Sequence, residues 1–293
     1  MGLTKNMCEL ILSAKLKRHI NFDKLIMVGR QNLHLSPEHL AISLKKFGYS
    51  IDNVSEILNK ENTFADSFLK EIGGKEIHSI DASDYEDATI IHDLNEPLSK
   101  AYKNNYTLVL DSGTLEHVFN FPQAIKNCME LTQVGGHFMG VYPCNNFFGH
   151  GFYQFSSELF YRILSKANGF EIIDVVIFVD EMDTEFYNVP DTSEENQRIQ
   201  FKNTKPVYIY VLAKRIEETS LFENQPLQMD YAQIKWKGKR SSIKRPVKQK
   251  SLKQYIPIYL KNILKAIFNK TNQPDSIHFK KPYFSVYNLK SNK

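Results

Sequence analysis

The residues best suited to chemistry gather in two stretches. In the first, Asp111-SGTL-Glu116-His117, an apolar run ends in an aspartate, with a glutamate and a histidine shortly beyond. A neutral imidazole there can take the proton of an attacking hydroxyl, an assistance worth about 10² to 10⁴ in rate. His117 is the first candidate for that base, with Glu116 beside it, although a histidine opening a helix also serves as a plain hydrogen-bonding partner. The second stretch, Tyr142-PCNNFFGHGFYQF, is dense in aromatics and amides. Asn145 and Asn146 can bond hydroxyls, Tyr153 and its aromatic neighbours can stack on a sugar or planar acceptor, and some of these rings belong equally well to the core. His150, between Gly149 and Gly151, is the second candidate base. Glu116, His117 and His150 together are a possible metal-ligand set, but they lack a recognised ligand spacing, so no metal is expected.

A nucleoside-binding edge is suggested by residues that close apolar runs. Asp81 ends Lys75-EIHSI-Asp81, where an acid can accept from both ribose hydroxyls or simply cap the next turn. Asp93-Leu94-Asn95 ends a third run and can face an adenine amine, while Asp and Asn also form turns of their own. The first run ends in Gly29-Arg30-Gln31-Asn32, with one glycine where a phosphate-cradling loop carries several. A nicotinamide cofactor, which needs that cradle, is disfavoured.

These residues must be positioned by strands and helices in alternation. Strands are expected at Asp23-KLIMVG, Lys75-EIHSID, Ala88-TIIHDLN, Tyr106-TLVLD, Gly136-HFMGVYP, Phe170-EIIDVVIFV and Pro206-VYIYVLAKR, each a short apolar run bounded by turn residues. Helices are expected over 3–19, as an amphipathic leading helix, over Ser36-PEHLAISLKKFG, over 51–70, over Pro122-QAIKNCMELT and over Ser156-SELFYRILSKANG. The fold class is therefore α/β: a Rossmann-like, seven-stranded, mostly parallel sheet with helices on both faces and ligands at the strand carboxyl ends. The polar segment 180–205 reads as a long excursion, a lid or a disordered loop.

Charge divides the chain. Residues 235–293 hold 16 Lys and Arg against one acid, Asp275, whereas residues 1–234 hold 21 basic and 32 acidic residues. The expected organisation is an N-terminal helix (1–20), a main domain (21–215), a basic linker (216–250) and an amphipathic C-terminal extension (251–293). The extension can dock on the main domain or lie on an anionic membrane surface. An acidic main domain argues against nucleic acid as a partner. Cys8, Cys128 and Cys144 show no pairing or metal spacing, and no run is long enough to span a bilayer, so a cytoplasmic protein, with peripheral membrane contact through the tail, is expected.

Taken together, DASDYEDATIIHDLNEPL from Asp81, LVLDSGTLEHVFNFPQAIKNCMELTQVGGHF from Leu108 and NNFFGHGFYQFSSELFYRI from Asn145 resemble the class I S-adenosylmethionine-dependent methyltransferases, in particular a bacterial group associated with glycan and secondary-metabolite gene neighbourhoods. The resemblance runs from about Lys24 to Lys214. It implies a last strand running antiparallel and S-adenosylmethionine over the first, second and fourth strand ends. Gly29 would then lie near its methionine moiety, Asp81 at the ribose, Asp93 and Leu94 at the adenine, and Asp111 and Ser112 beneath the sulfonium, with Arg30 also among the cofactor-binding residues. A small-molecule or glycan hydroxyl is the implied acceptor. The chain departs from the family in its glycine-poor first loop, and a non-catalytic Rossmann-like binding or scaffold protein with a degenerate cofactor site is the alternative.

Overall fold

Alternation of side chains along each central strand decides which face of the sheet they cover. In β1 (Lys24–Val28), Leu25 and Met27 join one buried cluster while Ile26 and Val28 join another on the opposite face. The same division holds in β4 (Tyr106–Ser112), with Leu108 and Leu110 on one side and Val109 on the other. A sheet apolar on both faces needs helices on both, and the chain supplies them. The computed structural model describes residues 2–58, 63–192, 201–228, 278–279 and 285–290.

The other strands of the main sheet are β2 (Glu76–Asp81), β3 (Ile90–Ile91), β5 (Thr132–Asn145), β6 (Phe170–Val179), β7 (Phe186–Asn188), β8 (Val207–Arg215) and β9 (Ser285–Val286). Their order is β9-β7-β6-β8-β5-β4-β1-β2-β3. Neighbours from β5 through β4, β1 and β2 to β3 run parallel; β8 is antiparallel to both β5 and β6. All seven expected strands are present, but the sheet has nine strands and is mixed. The two additional strands lie beyond β6: β7 arises within the segment expected to be a loop or lid, and β9 pairs with it near the end of the chain.

Helix α1 (Lys5–Arg18), expected to be amphipathic, is buried without interruption from Asn6 to Ala14. It lies between the sheet, α2 (Pro37–Lys46) and the last described residues. Its buried Glu9 carboxylate is paired with Lys46 and lies 3.5 Å from Lys5, a compensation that burial of a charge requires. The single helix expected over 51–70 is instead two short ones, α3 (Val54–Ile57) and α4 (Asp66–Glu71), with residues 59–62 between them outside the described set. On the other face lie α5 (Phe121–Leu131) and α6 (Ser157–Ile163).

The basic run 235–250 and the amphipathic helix expected at 252–268 lie outside the described residues. The end of the expected extension does not stand apart from the main domain. Tyr287 and Leu289 are buried in the core beside α1, and Ser13 Oγ donates to the Leu289 carbonyl at 2.7 Å. Among the described residues no helix is long and apolar enough to cross a membrane.

Candidate functional site

The parallel half of the sheet brings Gly29, Asp81 and Asp111 to one edge, because β1, β2 and β4 all end there. Gly29 turns the chain with φ 66°, a left-handed conformation that glycine adopts without a steric penalty, while its N–H donates to the Ile80 carbonyl. Asp81 is half-buried, and its Oδ1 accepts from the Ser83 N–H at 3.2 Å. Exposed Asp93 accepts from the Asn95 N–H and side-chain amide, so it performs the turn role open to it in the sequence. Leu94 is buried beside it.

At the Asp81 end of this edge the carboxylate is half-exposed, while Leu94 is buried in a core cluster. The opposite end is differently built. Arg30 reaches Asp66 at 3.3 Å and the Glu86 carbonyl at 2.9 Å, with its guanidinium 4.0 Å from the Phe64 ring centroid. Gln31 turns its buried amide back onto the Val28 and Gly29 carbonyls. Ser112 is buried under the start of the chain, its Oγ 3.2 Å from the Gly2 carbonyl and 2.9 Å from Met7 Sδ. A methionine moiety over β4 therefore requires Gly2 and Met7 to yield.

Asp111, expected beneath a sulfonium, is fully buried and holds the next turn instead. Its two oxygens accept from the N–H groups of Thr114 at 3.1 Å and Leu115 at 3.3 Å, and Thr114 Oγ1 donates to the Val28 carbonyl at 2.6 Å. Burial pushes the Asp111 carboxyl up to about 6. The turn so fixed, Leu115–His117, presents Glu116 and His117.

Glu116 is the least expected member, since a glutamate with 0% exposure is rare without a partner. Neither carboxylate oxygen has a hydrogen-bond partner among the described residues. Burial, and secondarily the Asp111 charge, raise its pKa to about 8. The loop carrying His150 docks on it from the far side: the N–H groups of Phe152 and Tyr153 donate to the Glu116 carbonyl at 2.8 and 3.3 Å. His150 Nε2 stands 3.7 Å from Glu116 Oε1, and the His117 and His150 rings meet edge-on with centroids 5.1 Å apart. Burial and then the neighbouring His150 lower the His117 pKa, favouring the neutral ring.

Gly151, which like Gly149 is a glycine that lets the backbone approach closely, meets the turn that carries Glu116 and His117. Its φ is 71°, and a Cβ there would lie 2.8 Å from the Glu116 carbonyl oxygen and 3.2 Å from His117 Nδ1. A glycine pair around a histidine was the available signal; its partner was not visible.

The three residues expected on the acceptor side are engaged within the fold. Asn145 and Asn146 donate to Asn203, and Asn146 also to the Lys205 carbonyl, while the Tyr153 hydroxyl donates to the Phe119 carbonyl at 2.6 Å. Asn145 also lines a cavity of about 630 Å³ with Cys144, Gln154, Phe155, Glu158 and Lys202, on the side of β5 facing α6.

Neither a family model nor a curated protein matches the sequence. Among solved structures, the chain is similar to TehB from Haemophilus influenzae, with 13% identity and a TM-score of 0.33 over 71% of this chain and 61% of that one. It is also similar to a SAM-dependent methyltransferase from Aquifex aeolicus, with 10% identity and a TM-score of 0.33 over 70% and 90% of the two chains. A third is the 1,6-didemethyltoxoflavin-N1-methyltransferase of Burkholderia thailandensis, solved with S-adenosylhomocysteine, at 11% identity and a TM-score of 0.38 over 72% and 79%. The chain thus spans about three fifths of the Haemophilus protein's length.

Proposed function

We propose that the chain is an S-adenosylmethionine-dependent methyltransferase acting on a hydroxyl of a sugar or comparable small molecule. The observation that carries this reading is the strand order β3-β2-β1-β4-β5-β8-β6, in which β8, the last of these seven in the chain, alone runs antiparallel, as the resemblance to class I methyltransferases implies for the last strand. When bound, the cofactor supplies an electrophilic methyl group on a sulfonium. Asp81 would accept from the ribose hydroxyls, Leu94 would pack on the adenine, and Gly29 would let the backbone approach closely. Gly2 and Met7 would withdraw from Ser112 to admit the methionine end.

On the acceptor side, His117 would take the hydroxyl proton, since its ring is held neutral and projects toward solvent from a turn fixed by Asp111. His150, facing it, is the alternative acceptor of that proton. Positioning supplies the remainder, because an in-line displacement needs its two reactants held near contact.

Calorimetric titration with S-adenosylmethionine and S-adenosylhomocysteine, with NADH as the control, tests the cofactor. Saturable adenosyl binding that Asp81→Ala abolishes is expected; a folded chain that binds neither compound would sink the reading. In that event a non-catalytic binding protein is the better account, favoured by one observation, the burial of Ser112 under Gly2 and Met7. Once an acceptor is found, His117→Ala should lower turnover by about 10² to 10⁴ while leaving adenosyl binding unchanged.

A further inference from the structure

Glu116, His117 and His150 each offer one ligand atom, and these atoms all lie within 4.8 Å of one another. Two come from adjacent residues of one turn; the third arrives on a loop 33 residues later and is fastened there by two backbone hydrogen bonds to the Glu116 carbonyl. Glu116 is completely buried, yet among the described residues both its oxygens lack hydrogen-bond partners and no lysine or arginine pairs with it. A buried carboxyl left in this condition either stays protonated or is met by a cation, and the two imidazoles beside it supply the further ligands that a cation needs. The two imidazoles are exposed, so they can rotate onto an ion without disturbing the core.

We propose that Glu116, His117 and His150 form a site for one divalent first-row transition ion. The donor set, one carboxylate oxygen and two imidazole nitrogens, suits zinc, cobalt, manganese or iron and is poor for magnesium or calcium, which favour oxygen throughout. Three protein ligands leave at least one coordination position open, and the exposure of both rings places that position toward solvent. Tetrahedral bonds of about 2.0 to 2.2 Å hold ligand atoms roughly 3.3 to 3.6 Å apart, so loading closes gaps of at most 4.8 Å and leaves the Glu116–His150 pair, already at 3.7 Å, nearly in place. Gly151 limits how far the loop can move, since it already packs on Glu116 and His117. An ion on these nitrogens would occupy the lone pairs with which His117 or His150 would accept a hydroxyl proton, so base catalysis by either ring belongs to the metal-free site. The inference goes beyond methyl transfer and does not depend on it, because binding is read directly.

The test uses the full chain, free of any histidine tag and stripped with a chelator, titrated with Co²⁺ by visible absorption and with Zn²⁺ by calorimetry. One equivalent of each is expected, with Zn²⁺ displacing the cobalt spectrum. His117→Ala and His150→Ala, both substitutions of exposed side chains, should each weaken binding by at least about tenfold, as loss of a direct ligand should exceed the roughly 10- to 100-fold effects of outer-shell changes. Glu116→Gln should do the same if it folds; the histidine variants decide the matter if it does not. Absence of saturable binding in the parent chain, or binding unchanged in both histidine variants, would overturn the proposal.

Discussion

Gly151 is the residue on which the geometry around Glu116 turns. Any side chain there meets the Glu116 carbonyl and must also hold φ near 71°. The left-handed conformation alone costs an L-residue roughly 1 to 2 kcal/mol. Gly151→Ala should therefore lower the melting temperature and displace His150 from Glu116; Gly149→Ala, where nothing lies within 4 Å of the added carbon, is the control and should be much milder. Equal melting temperatures for the two variants would contradict this account. The types of Glu116, His117 and His150 were legible in the sequence as a source of chemistry. Their convergence was not, because the contact between residues 116 and 150 depends on backbone bonds from Phe152 and Tyr153 that leave no pattern of spacing. Asp111 was equally opaque: an acid ending a strand can face a ligand or hold a turn, and only its two bonds to Thr114 and Leu115 decide between them.

At the scale of elements, apolar runs bounded by glycine or proline were reliable guides, and every strand expected between Asp23 and Arg215 is present. The helix expected over 51–70 failed because its apolar residues serve two short helices, and β7 and β9, of three and two residues, are too brief for periodicity to reveal. Strand β5 carries a titration of its own. His137 is buried opposite Lys214, and burial, then that charge, lower its pKa to about 4. In the unfolded chain the same ring protonates near pH 6.5. The unfolded state thus binds more protons between about pH 4 and 6.5, and stability must fall as pH drops through that window, by roughly 3 kcal/mol in all. Denaturation by urea at pH 7.5 and at pH 5 should show this difference shrinking in His137→Phe. An undiminished difference would assign the pH dependence elsewhere.

For the whole molecule, charge composition separated a basic tail from an acidic domain, and at its last described residues that separation fails. Val286 pairs with Tyr187, Tyr287 and Leu289 are buried, and the Tyr287 hydroxyl lies 3.4 Å from Asp174, which also receives Arg18. Composition reports charge and says nothing about two apolar side chains at the end of a polar segment. Deleting residues 284–293 should destabilise the chain by roughly 3 to 6 kcal/mol, from the loss of two buried side chains at about 1.5 to 3 kcal/mol each. Equilibrium unfolding of the truncated and full chains measures it, and equal stabilities would show that the tail's docking is superficial. Truncation before residue 235 removes the same contacts, so it is not a neutral deletion. The bond from Ser13 to Leu289 also bears on biosynthesis. Helix α1 covers most of its apolar side chains against α2 and the sheet, but the patch beneath Tyr287 and Leu289 closes only after a segment 276 residues further along the chain has been made, so that patch is the last part of the helix to be shielded from chaperones during synthesis.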